Sequence, residues 1–232
     1  MGEGKISDGL EAVLFDFGGV MAPLYEIEFE ESFRAVYRGM HTPKFSERHY
    51  MDIVGSLMKR MQTGLLEGAF WEAFETETGI PKPRNPHKLL VGKYGSLRHN
   101  HLSMETIVGC LKDAGIKVGL VSNTIQPHVA IFRERGLYDI SGPNVFLSCE
   151  RGFRKPDAMI WDAAIRALEA QGVSGIGYSQ DGSRVGLARN VAFVDDNPRY
   201  AHAFESLFKG RGVYHSSPSH TKYVLEALGA RF

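Results

Sequence analysis

The sequence predicts an α/β fold, a doubly wound parallel sheet with an inserted α-helical cap, and three observations predict it. Short, wholly apolar runs end in small or acidic residues. Helical patterns closed by glycine fall between them. One long early stretch has helical periodicity and no strand signal. Apolar runs of this kind, bounded by turn residues, are the pattern of central strands covered on both faces.

Taken in order, Ala12–Phe15, Lys117–Val121, Asn144–Ser148 and Val191–Val194 read as strands. Met104–Ala114, Ile125–Arg135 and Asp157–Gln171 read as helices, stopped by Gly115, Gly136 and Gly172. Met159, Ile160, Ala163, Ala164, Ala167 and Leu168 recur at helical spacing and give the last of these an apolar face for the sheet. Residues 23 to 97 are far too many for an ordinary connection and must form a structure of their own. Helical patterns at Glu26–Tyr37, Ser46–Met61, Leu65–Glu77 and Pro86–Gly95 make that structure a helical cap. Its aromatic residues, Tyr25, Phe29, Phe33, Phe70, Trp71 and Phe74, are expected to fill its interior, as Trp161 fills the α/β side. The domain division is then 1–22 with 98–232 for the core and 23–97 for the cap. The Gly-rich polar stretch Gly172–Asn190 reads as an exposed hairpin or excursion.

Composition narrows the function classes. Lys plus Arg (27) balances Asp plus Glu (27), with no long run of either sign, so neither a nucleic-acid footprint nor a membrane patch is expected. Cys110 and Cys149 stand outside any metal-ligand spacing and read as two buried thiols. The first apolar run is too short for a signal peptide or a span, which predicts a cytoplasmic protein, monomer or homodimer.

Ligand sites of such sheets lie at the carboxyl ends of the strands, so the residues after each apolar run should converge. These are Asp16-Phe-Gly-Gly-Val20, Ser122-Asn-Thr124, Lys155 in Arg154-Lys-Pro-Asp157, and Asp195-Asp196-Asn197. Carboxylates gathered in one crevice repel each other and call for a cation, and oxygen ligands suit Mg²⁺. Such a set lets a carboxylate attack phosphorus while a hydroxyl and an ammonium hold the phosphoryl oxygens. Taken singly, the motifs have plainer readings: Ser122-Asn-Thr as a helix cap, Lys155 as a surface lysine, Asp195-Asp-Asn-Pro as a turn.

Four such motifs in this order, with a helical insertion between the first two, resemble the haloacid dehalogenase (HAD) superfamily over nearly the whole chain. The resemblance implies a Rossmann-like core and an Asp16 nucleophile. It further implies phosphate binding by Ser122, Asn123, Lys155 and the Gly19 loop. The Mg²⁺ ligands would be the Asp16 carboxylate, the Gly18 carbonyl and Asp196, with Asp195 beside them. The expected activity is hydrolysis of a small phosphate monoester, such as a sugar phosphate, through an aspartyl-phosphate.

The departure lies at Gly18, where most phosphatases of the superfamily carry a second aspartate that protonates the leaving group. Tyr25 and His128 are the sequence candidates for a substitute. Two other readings compete. A 2-haloacid dehalogenase would use the same aspartate on carbon without metal, but usually shows Tyr at the position of Gly18. A non-catalytic homologue would bind a phosphorylated ligand or a protein, but would have no reason to keep Asp16, Ser122, Lys155 and Asp196. Arg154 and Arg199 flank the motifs and read equally as ligand contacts or surface charges. Gly18-Gly19 and Gly95–His101 are where core and cap should join, the expected hinge.

Overall fold

The computed structural model describes residues 9–39, 45–177 and 187–232. Five parallel strands form the main sheet: β1 (Ala12–Phe15), β2 (Lys117–Ser122), β3 (Val145–Leu147), β6 (Val191–Asp195) and β7 (Arg211–Tyr214), in the order β3-β2-β1-β6-β7. β1 is central, pairing Ala12 with Lys117 on one side and with Val191 on the other. The strand order reverses on either side of β1, and this switch point opens the crevice at the strands' carboxyl ends.

Alternation along β1 decides which residue faces which layer. Val13 and Phe15 enter one cluster with Val118, Leu120 and Val194, closed by α5 (Leu102–Asp113), α6 (Gln126–Glu134) and α10 (Pro218–Ala227). Ala12 and Leu14 enter the other with Val121 and Phe193, closed by α8 (Ala158–Ala170) and α9 (Pro198–Phe208). Trp161, fully buried, packs edge-on against Phe193 at 5.5 Å between centroids. Each fully buried side chain of this size contributes about 1.5–3 kcal/mol by leaving water. The helix starts follow local chemistry. Asp157 accepts from the Met159 amide to open α8, and Asn197 accepts from the Arg199 amide to open α9, with Pro198 in its first turn.

Between β1 and β2 lie α1 (Glu26–Arg38), α2 (Glu47–Met61), α3 (Glu67–Thr78), α4 (Pro86–Val91) and a 3₁₀ turn, Gly92–Ser96. They share a hydrophobic cluster of Phe33, Tyr50, Val54, Leu57, Met61, Phe70, Trp71, Phe74 and Leu90, into which Ile125 projects from the start of α6. Phe33, Phe70, Trp71 and Phe74 are buried there as expected; Phe29 packs against the cluster and also lines a cavity, while Tyr25 lines that cavity instead. The two chain crossings between sheet and helices are tied together, the His101 amide donating to the Met21 carbonyl at 2.7 Å.

Three features depart from the sequence expectations. The helix expected at Pro86–Gly95 tightens into the 3₁₀ turn after Val91. Only one of the two thiols, Cys149, is buried; Cys110 is partly exposed. β7 and the helices on either side of it were not anticipated: of Arg211–Tyr214 only Val213 is buried, so an edge strand carries almost no apolar signal. The ends of the Gly172–Asn190 stretch pair as the hairpin expected there, β4 (Ile176–Gly177) antiparallel to β5 (Leu187–Ala188); residues 178–186 lie outside the described residues. Among the described residues no helix is long and apolar enough to cross a membrane.

Candidate active site

Asp16 follows β1, Ser122 ends β2, Asp195 ends β6, and Lys155 lies in the loop between the short helix α7 (Ser148–Arg151) and α8. Four sequence-distant positions thus meet at one crevice. The Lys155 side chain is fully buried, and its Nζ stands 2.8 Å from Asp16 Oδ1 and 2.6 Å from Asp195 Oδ2. The aromatic rings of Phe193 and Tyr200 flank the ammonium at 5.3 and 5.2 Å. Burial disfavours its charged form, but the two carboxylates outweigh burial and hold its pKa above the ordinary lysine value. Burial first, and then the negative charge of Asp16, push Asp195 up to about 7 against the pull of Lys155 and of the Asn197 amide that donates to its Oδ1. Burial strips water from the carboxylate, and one buried ammonium faces more than one carboxylate.

Oxygen atoms of Asp16, Asp195 and Asp196 lie within 4.8 Å of one another. The donor set is all carboxylate, two of its members are buried, and its excess negative charge is what a hard divalent cation would relieve, so the residues fit magnesium. Asp195 has one oxygen on Lys155 and the other on the Asn197 amide, which makes it a poorer direct ligand than Asp16 or Asp196.

Two of the residues expected to contact phosphate also carry structural roles. Gly19 donates its amide to the Ala22 carbonyl at 2.7 Å, so that donor is spent inside the loop. What Gly19 provides is room: its φ is +83°, and a Cβ there would overlap the Asp196 carboxylate. The Asn123 side-chain amide is committed to the main chain of Lys155, its Oδ1 accepting from the Lys155 N–H at 2.7 Å and its Nδ2 donating to the Lys155 carbonyl at 3.1 Å. Asn123 therefore holds the lysine in place. Ser122 is nearly buried, with its side of the strand end open to the cavity.

That cavity, about 550 Å³, runs from Asp16, Gly18, Ser122, Lys155 and Asp196 outward to α1 and α2. Arg154 lines it and donates Nε to Gln62 Oε1 at 2.9 Å, linking the lysine loop to the end of α2. Arg199 is exposed and does not line it. His128 lines the wall but is not held in its proton-giving charged form near neutral pH: its Nε2 lies 3.0 Å from the Leu90 carbonyl, and burial pulls its pKa down to about 4. Tyr25 lines the cavity and packs edge-on against Tyr94, 5.0 Å between centroids.

Tyr94, Gln62 and Arg135 were not anticipated. Each acts through a neighbour from a distant part of the chain and carries no local motif. Arg135 donates to the carbonyls of Tyr94, Gly95 and Leu97, with the Gly95 contact at 2.7 Å. It thereby clamps the segment expected to be the second hinge strand.

No protein-family model matches the chain, and neither does any curated protein. Solved structures do. A HAD family enzyme from Bacteroides thetaiotaomicron aligns with TM-score 0.62 and 17% identity, over 89% of this chain and 92% of that one. The same enzyme is also known in complex with magnesium and inorganic phosphate, at TM-score 0.60. A predicted HAD-like family hydrolase from Porphyromonas gingivalis aligns at TM-score 0.60 and 19% identity, over 93% and 98% of the two chains. An L-2-haloacid dehalogenase aligns at 0.54 and 15%, over 94% and 100%.

Proposed function

We propose that this chain, which has the fold of HAD-like hydrolases, is a magnesium-dependent phosphatase acting on a small phosphate monoester through a covalent intermediate on Asp16. The observation that carries the reading is the convergence of Asp16, Asp195 and Asp196 around a single buried Lys155. A site with this charge excess is suited to a divalent cation and a phosphoryl dianion together. When bound, the metal neutralises phosphoryl charge and screens the nucleophile from it. Asp16 attacks phosphorus in line with the departing oxygen, and the resulting acyl phosphate is cleaved by water. Lys155 draws charge onto the equatorial oxygens, and the Ser122 hydroxyl donates to them. Asp195 keeps Lys155 charged and aimed. Residues 23–97 act as the cap over residues 1–22 and 98–232, and Gln62 with Arg154 latches the two across the cavity.

Dehalogenation is the weaker reading, because displacement at carbon makes no use of three converging carboxylates. The test is release of inorganic phosphate from sugar phosphates, nucleotides and an aryl phosphate, with Mg²⁺ and with chelator, in wild type and Asp16→Asn. Metal-dependent release that disappears in the variant is expected. Release that survives either chelation or the substitution would overturn the reading.

A further inference from the structure

The site as described has a nucleophile and a charge clamp but no group to protonate the departing alkoxide, since position 18 has no side chain. The space beside Gly18 is not empty. A Cβ built on Gly18 would meet the Tyr94 hydroxyl at 3.4 Å and the Leu24 side chain at 3.5 Å. A longer acidic side chain at 18 would extend past that Cβ into the region the phenol already occupies. Tyr94 and Gly18 both line the cavity that contains Asp16.

The phenol is held firmly. Its oxygen accepts from the Tyr25 amide at 3.3 Å. Its ring packs against His128 at 4.7 Å and Phe132 at 5.6 Å between centroids. The Arg135 clamp fixes its backbone. A donor with its rotamer locked by packing and its main chain pinned is placed for chemistry before substrate arrives. Of the two substitutes suggested by sequence, His128 is turned toward Leu90, while Tyr25 contributes its amide to the Tyr94 oxygen.

We propose that Tyr94 is the proton donor to the leaving group, delivered from the junction between helical insertion and sheet in place of a side chain at position 18. The proposal rests on the phosphatase reading. As the Asp16 oxygen bonds to phosphorus, the bond from phosphorus to the ester oxygen breaks. Its electron pair stays on that oxygen, which takes the Tyr94 proton. In the second step water attacks phosphorus and gives a proton to the Tyr94 phenolate. The bond from phosphorus to Asp16 breaks, returning its electron pair to the carboxylate, and the phenol is restored. The Tyr25 amide, pointing at the phenol oxygen, stabilises the charge it holds in between.

The test compares Tyr94→Phe with wild type on two esters that differ in their need for a proton. The substitution keeps the ring and its packing, so the fold is retained. Glycerol 2-phosphate leaves as a strongly basic alkoxide, whereas p-nitrophenyl phosphate leaves as a stable phenolate. Turnover of the first should fall by about a hundredfold or more while the second stays within about threefold. Equal losses on both esters, or none on either, would overturn the donor role while leaving the phosphatase reading intact. Wild type inert toward both esters would instead overturn the phosphatase reading, and this proposal with it.

Discussion

The two ends of the cavity are built differently. At the sheet end, Asp16, Ser122, Lys155 and Asp195 are supplied by strand termini and one loop, are buried, and are locked by each other's charge. At the outer end, α1 and α2 contribute side chains of mixed polarity, and the links between the helical insertion and the sheet side include Gln62 to Arg154, His128 to the Leu90 carbonyl, Arg135 to the 94–97 carbonyls and Ile125 packed into the helical cluster. The sheet end is a preorganised charge cluster, whereas the outer end is a wall of packed aromatic and polar side chains joined to it by hydrogen bonds and apolar contacts.

Perturbing the sheet end should produce the largest effects. Lys155→Met removes the only cation within ion-pair reach of both Asp16 and Asp195 among the described residues, leaving two buried carboxylates facing each other. Activity should be lost, and metal-free stability should fall by about 3–5 kcal/mol. Combining it with Asp195→Asn should recover much of the stability and none of the activity, read by denaturant melts beside phosphate release. Recovered activity in the double variant would show that Lys155 serves only to offset Asp195.

A smaller effect is expected at Gly19→Ala. The added methyl collides with the Asp196 carboxylate at a backbone angle that favours glycine. Displacing that carboxylate should weaken magnesium binding about ten- to a hundredfold, measured by calorimetry on the metal alone. Unchanged affinity would remove Asp196 from the ligand set.

The smallest expected effect lies on the wall between the two ends. His128 has a folded pKa of about 4, below its ordinary value of 6.5. The unfolded chain therefore takes the proton first, so His128's contribution is complete above pH 6.5 and is lost as pH falls toward 4. His128→Gln should flatten the fall of melting temperature across that window. The residual slope should come from other groups, among them His215, whose pKa is likewise lowered by burial and by the nearby His101 and His220. An identical slope in the variant would mean that His128 takes up its proton over the same pH range in the folded as in the unfolded chain.

The same contrast explains what the sequence reveals. The motifs at β1, β2 and β6 are legible because an apolar strand that ends in an acid or hydroxyl announces both element and site in adjacent letters. The residues expected to converge do so. Motif position does not reveal the structural tasks of Gly19 and Asn123, the turn to Ala22 and the grip on Lys155, because it does not tell which way an amide points. Tyr94 was beyond reach for a different reason. It approaches Gly18 across a separation that only the folding of the helical insertion closes, and nothing local to Gly92–Ser96 marks it. The edge strand β7 was missed because one buried residue in four gives no period to detect.

The most direct measurement is to trap the covalent intermediate. Protein turning over p-nitrophenyl phosphate with Mg²⁺ is quenched with borohydride, which reduces an acyl phosphate to an alcohol, and is mapped by mass spectrometry of its peptides. Conversion of Asp16 to homoserine, absent with chelator and absent without substrate, is the expected result. Turnover with every aspartate unmodified, or reduction at a carboxylate other than Asp16, would contradict the assignment of Asp16 as the nucleophile.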